Sequence, residues 1–120
     1  MTDHKLDDEQ GRLAALERYE VLDTEREQPF EKITNLVQTV MDVPIAAVTL
    51  IDLHRQWFKS LQGLDVTETS RQVAFCDHTI RQREPLVIPD ATKDPRFAEN
   101  PLVAGEPYIH AYAGVPLETP

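Results

Sequence analysis

The sequence of 120 residues contains a single cysteine, Cys76, and only four glycines. One thiol cannot close an intramolecular disulfide and cannot supply a cysteine-rich zinc site. So few glycines make a phosphate-cradling loop improbable, and neither H-E-x-x-H nor G-x-S-x-G occurs. Basic residues are also scarce: 12 Lys and Arg stand against 21 Asp and Glu, a net charge of −9 that repels a phosphate backbone and an anionic leaflet alike. Nucleic acid and membrane are therefore disfavoured as partners. No apolar run approaches the roughly 20 residues that span a bilayer, and the polar residues Met1 to Gln10 lack the apolar core of a signal peptide. A reducing, cytoplasmic setting is the simplest expectation.

Apolar residues make up 41% of the chain and charged residues 28%, enough to support one folded core. Leu13, Leu16 and Tyr19 recur at helical spacing after the acidic Asp7, Asp8 and Glu9, and this first helix should end near Leu22. Thr24 and Glu27 have capping-box spacing, but Pro29 would lie too deep in a helix begun at Thr24, so the second helix should start near Gln28 with Pro29 in its first turn. Ile33, Leu36, Val37, Val40 and Met41 then form one apolar stripe, expected to pack across a sheet, and the helix stops before Pro44.

Ile45 to Asp52 is apolar on both alternating faces, which implies a strand covered on two sides. A hairpin at Asp52 to Arg55 leads to a second strand, Gln56 to Leu61, closing at Gly63. A short helix is expected around Phe75 to Gln82, an edge strand at Leu86 to Ile88 between two prolines, and a final strand at Ile109 to Leu117 with Gly114 at a bulge or close contact. Asp94-Pro95 and Asn100-Pro101 each place an N-cap residue before proline, predicting two helical turns in a long loop.

Six stretches in this order carry a resemblance. They are Arg12-Leu-Ala-Ala-Leu with Leu22-Asp-Thr, Gln56-Trp-Phe-Lys-Ser with Gly63-Leu, Ala74-Phe-Cys-Asp-His-Thr-Ile, Pro89-Asp-Ala-Thr-Lys-Asp-Pro-Arg-Phe, Asn100-Pro-Leu-Val and Tyr112-Ala-Gly-Val-Pro-Leu. Together the chain resembles the GAF domains at the N-termini of bacterial sensor histidine kinases and diguanylate cyclases. The resemblance implies an α+β fold: a six-stranded antiparallel, PAS-like sheet, N-terminal helices on one face, and a ligand pocket under a short helix and long loop on the other. It implies residues 1–24 as an N-terminal helical segment and residues 25–120 as a GAF domain. The sequence ends at Pro120, where family members continue through two further strands and a closing helix, so the final strand is expected to present an open edge.

The implied function is sensory and regulatory rather than enzymatic: an unidentified small ligand or partner shifts the helices and an attached histidine kinase or diguanylate cyclase output. No cofactor is specified. The expected pocket residues are Phe58, Cys76, His78, Asp90, Arg96, Phe97 and Tyr112. Cys76 and His78 could form a nucleophile pair or half of a metal site, but residues two apart on a helix point to different faces, and a structural role for the thiol is the simpler alternative. Cys76 near His78 is similar to the bilin attachment of some GAF domains, yet the Asp-Ile-Pro signature of that group is missing. Cyclic-nucleotide elements and the second thiol of the methionine-sulfoxide-reducing group are missing too. Asp90, Asp94 and Arg96 either hold an anionic ligand under Phe97 or cap turns and pair with one another. His4, His54 and His110 are too scattered for metal-ligand spacing. A homodimer is expected through the stripe of the first helix and the open strand edge, the alternatives being a thiol-dependent redox enzyme using Cys76 and a ligand-free dimerisation module.

Overall fold

Local rules place most of the elements seen in the computed structural model, which describes residues 9–117. His4, Asp7 and Asp8 lie outside the described residues. The described chain divides into two compact units, residues 10–71 and residues 72–117.

The first unit begins with α1 (Glu9–Tyr19), which ends three residues before the expected Leu22 because Glu20 turns to positive φ. Then comes α2 (Gln28–Met41), with proline in its first turn and Asp42 in the left-handed conformation closing it. Thr24 does not cap α2; its hydroxyl donates to the Val21 carbonyl instead. Three antiparallel strands follow in the order β1 (Ala46–Ile51), β2 (Arg55–Gln62) and β3 (Glu68–Ser70), the last short and polar and not apparent in the sequence pattern. The hairpin turn closes where the Asp52 amide donates to the Arg55 carbonyl. Ala46 and Ile51 are buried, but Ala47 is exposed, so the two-sided burial expected of β1 is incomplete.

Val48 pairs with Ser60 and Thr49 with Phe58, which leaves Lys59 as the extra residue of a bulge. The bulge brings Lys59 to the face that also carries Ser60 and Gln62, and α2 lies across that face. Here the expectation for α2 is corrected. Its apolar stripe does not pack on the sheet: Ile33, Leu36, Val37, Val40 and Met41 are all exposed, whereas Thr34 is buried. The reason is that the sheet surface beneath the helix is itself polar. Thr34 and Ser60 share a hydrogen bond of 2.8 Å, Ser60 donates to Glu31 at 2.9 Å, and Gln62 donates to Glu31 at 2.9 Å. A polar helix face satisfies these groups, while an apolar one would leave them buried and unpaired.

Lys59 is 1% exposed. Its ammonium donates to the Thr24 hydroxyl and the Glu25 carbonyl, both at 2.7 Å, and meets the Glu27 carboxylate at 2.6 Å. All three donors are thereby used, and the bulged lysine clamps the segment joining α1 to α2. Arg55 pairs with Asp23 at 2.6 Å, which holds the Asp23 carboxyl below its usual range. Strand alternation therefore turns Trp57 with Arg55 toward the N-terminal segment, and Gln56 and Phe58 toward the opposite face.

The second unit contains α3 (Phe75–Thr79), β4 (Leu86–Ile88), α4 (Pro101–Ala104) and β5 (Tyr112–Gly114), with β4 and β5 paired antiparallel. Its core consists of Phe75, Leu86, Ile88, Ala91, Phe97 and Val103, with Leu102, Ile109 and Tyr112 packed against it. The helix expected to reach Gln82 stops at Thr79, and the final strand expected from Ile109 to Leu117 is only three residues long. The five described strands thus form a three-stranded and a two-stranded ladder, fewer strands than the six-stranded sheet implied by the resemblance.

Candidate functional site

The long loop after β4 is held by its own side chains. Asp90 accepts from the backbone and hydroxyl of Thr92, capping the 3-10 turn Ala91–Lys93. Asp94 accepts from the Arg96 amide at 2.8 Å and from its guanidinium at 2.9 Å. These bonds hold both carboxyls below their usual range: Asp90 through Thr92, and Asp94 through Arg96 with a smaller contribution from nearby His78. Asp94 thus closes a turn rather than the expected proline-led helix. Asn100 does begin one, accepting from the Leu102 amide while its own amide donates to the Val73 carbonyl. The Asn100 oxygen thus caps α4, while its amide ties the loop to the segment before α3.

Held this way, the loop delivers Phe97 onto α3. Phe97 is fully buried and stacks on Phe75 with centroids 4.3 Å apart. The His78 ring meets Phe97 edge-on at 4.8 Å, and the Arg96 guanidinium lies 5.3 Å from the centre of the Phe97 ring. From β5, Tyr112 leans on Phe75 at 5.1 Å. Its hydroxyl shares a 2.6 Å bond with Thr79 and donates to the Cys76 sulfur at 3.4 Å. Burial pushes the Tyr112 phenol far above its ordinary value, reinforced by the neighbouring Cys76, so it stays a hydrogen-bond donor at any physiological pH.

Four of the seven expected site residues, Cys76, His78, Phe97 and Tyr112, therefore meet in one cluster, with Arg96 at its rim. Cys76 receives the Tyr112 hydroxyl, and the His78 ring lies against Phe97. Asp90 is occupied by its own turn. Phe58 belongs to the other unit, on the face of β2 away from α2. Phe75, Thr79 and Gly114 complete the cluster; Gly114 is the expected close contact, whereas Phe75 and Thr79 are not among the expected site residues. The sequence carries a signal for two of them. Thr79 lies three residues from Cys76 on the same helix face, and Gly114 lies two residues from Tyr112 on the same strand face. A Cβ at Gly114 would stand 2.0 Å from the Tyr112 hydroxyl oxygen and 2.7 Å from the Thr79 hydroxyl oxygen, so glycine is what lets the phenol lie there.

The cluster is filled by its own rings. A concave surface of about 620 Å³ occurs instead in the first unit, lined by Leu13, Leu16 and Leu22 with Asp52 and Leu53 of the hairpin turn. No group of three or more His, Cys, Asp or Glu among the described residues is arranged to hold a metal ion.

The family model for the GAF domain matches residues 25–119. The chain belongs to the GAF family. A GAF domain implies a regulatory or sensory role in signalling. The chain is also 39% identical over 113 residues, 94% of its length, to a cyclic di-GMP phosphodiesterase of Pseudomonas aeruginosa. It spans 19% of that relative's length. No described helix of this GAF domain is long and apolar enough to cross a membrane.

Proposed function

We propose that this GAF domain is a sensory input module that binds a small ligand over α3, the loop after β4 and β5, and relays the resulting change through its helices to an output domain. The observation that carries the reading is the convergence of Tyr112, Cys76, Thr79, His78 and Phe97 from three separate elements, edged by Arg96. An aromatic patch with a few fixed polar groups suits a small, partly planar molecule, and the rim guanidinium suits an anionic group on it. Because the cluster is closed by its own rings, occupancy requires the Arg96-Phe97 segment to move, which couples ligand to conformation. The output belongs to the same class of signalling enzyme as the relative, a cyclic-dinucleotide phosphodiesterase, or to the histidine kinase or diguanylate cyclase type. In this reading the domain works as a homodimer.

Native mass spectrometry of the purified chain tests the ligand directly. A retained small molecule, lost in Arg96→Ala and in His78→Ala at unchanged fold, is the expected result. A bare chain mass, with no thermal stabilisation by any member of a nucleotide and metabolite panel, would leave a ligand-free dimerisation module in its place.

A further inference from the structure

We infer that the trough between α1 and the hairpin turn joining β1 to β2 is a docking surface for a basic amphipathic helix of a partner protein. It lies wholly within the first unit and goes beyond the ligand reading above, on which it does not rest. The trough measures about 620 Å³ and is open to solvent, whereas a small-molecule site encloses most of its ligand. Its apolar lining comes from Leu13 and Leu16 of α1, Leu22 beyond it and Leu53 in the turn. The turn closes through its backbone, from the Asp52 amide to the Arg55 carbonyl, so it does not require a leucine that is 53% exposed. Arg12 of α1 donates to the Ile51 carbonyl, which fastens the helix beside the turn and keeps the trough formed.

The occupant is argued from charge. The trough is also lined by Glu17, Glu20 and Asp52, and among the described residues no lysine or arginine lines it. Asp52 meets Arg55 at 3.5 Å, so the exposed Glu17 and Glu20 are the charges that a partner encounters. Carboxylates around an apolar floor repel an anionic surface, including a second copy of a chain that carries −9, and favour a partner with cations flanking its apolar stripe. The walls are side chains of a helix and a turn, not a strand edge. An extended peptide would therefore leave its backbone groups without partners, while a helix satisfies its own. Leu13, Leu16 and Glu17 repeat at i, i+3 and i+4 along α1, the spacing at which a partner helix presents leucines beside lysines.

Fluorescence anisotropy of a labelled, roughly 15-residue helical peptide of Leu and Lys tests this on the whole chain, with circular dichroism on every variant. Its leucines sit at i, i+3, i+4 and i+7. Saturable one-to-one binding is expected, with a Kd on the order of 10 micromolar in low salt and severalfold weaker in roughly 0.3 M salt. Glu17→Lys with Glu20→Lys should weaken it about tenfold and Leu53→Asn about threefold. Glu84→Lys with Glu99→Lys, the same charge change on exposed acids of the second unit, should weaken it less than about twofold. All five side chains are exposed, so the variants should fold normally. Equal weakening by the two double variants would overturn the site, leaving only attraction to net charge. Equal binding of a Leu and Glu peptide with the same stripe would overturn the basic character of the partner. No saturable binding up to about 1 millimolar peptide would overturn the docking surface itself. A wild-type dimer that competes with the peptide and is broken by Leu53→Asn would put a second copy in the trough instead.

Discussion

Gly114→Ala is the sharpest probe of the aromatic cluster, because the change adds one methyl group and nothing else. Gly114 is not in a left-handed conformation, so the backbone accepts alanine, and replacing glycine in a strand would by itself add about 0.5 to 1 kcal/mol of stability. Against this, the new Cβ would lie 2.0 Å from the Tyr112 hydroxyl oxygen, 2.6 Å from the ring carbon that bears it, and 2.7 Å from the Thr79 hydroxyl oxygen. The ring must move, and it is anchored by a 2.6 Å hydrogen bond to Thr79 and by its packing on Phe75. Overpacking of this kind costs about 1 to 3 kcal/mol and the lost hydrogen bond about 1 kcal/mol more. The net expectation is a destabilisation of roughly 1.5 to 3 kcal/mol, a fall in Tm on the order of 10 °C. Combining it with Tyr112→Phe should give about 1 kcal/mol less than the sum of the two changes, since the same hydrogen bond can be lost only once. Urea unfolding followed by circular dichroism measures all three variants. A Gly114→Ala protein as stable as the wild type, or more so, would refute the placement of Tyr112 over Gly114.

Lys59→Met should destabilise the first unit by roughly 1 to 3 kcal/mol, less than the roughly 3 to 5 kcal/mol of a fully buried ion pair because Glu27 is more than half exposed and regains water. Limited proteolysis should then cut faster between Thr24 and Glu27, and unchanged protection there would count against the clamp. Stability should fall as pH rises above 10.0, the ordinary value for the Tyr112 phenol, because the unfolded chain ionises this group while the fold keeps it neutral. The slope attributable to Tyr112 is up to about 1.4 kcal/mol per pH unit. Tyr112→Phe should remove that slope, and an identical alkaline profile in the variant would argue that the phenol is not buried as described.

Several features of this protein were legible in its sequence because they depend on neighbours a few residues away. The start of α2 follows from Pro29 and its end from the turn before Pro44; the hairpin follows from the polar residues between two apolar runs. Asn100 reads as a cap because Pro101 follows it, and Asp90 and Asp94 read as turn residues because a short carboxylate can accept from the backbone two residues on. The residues that meet around Phe97 were named mainly through a resemblance spanning the whole chain, since no local pattern brings residue 112 to residue 76.

Tertiary structure decided the rest. Which face of α2 turns inward is not written in α2, whose stripe of Ile33, Leu36, Val37, Val40 and Met41 reads as a core-facing surface. It was settled some 30 residues away, where Ser60 and Gln62 give the sheet a polar surface that only Glu31 and Thr34 can satisfy. The bulge at Lys59 has the same character: it exists only as a mismatch between two strands, so neither strand alone could announce it, yet it aims the one buried ammonium of the first unit at the segment before α2. Hydrophobic periodicity records how a helix could be buried, whereas pairing and hydrogen-bond satisfaction across distant segments determine how it is buried.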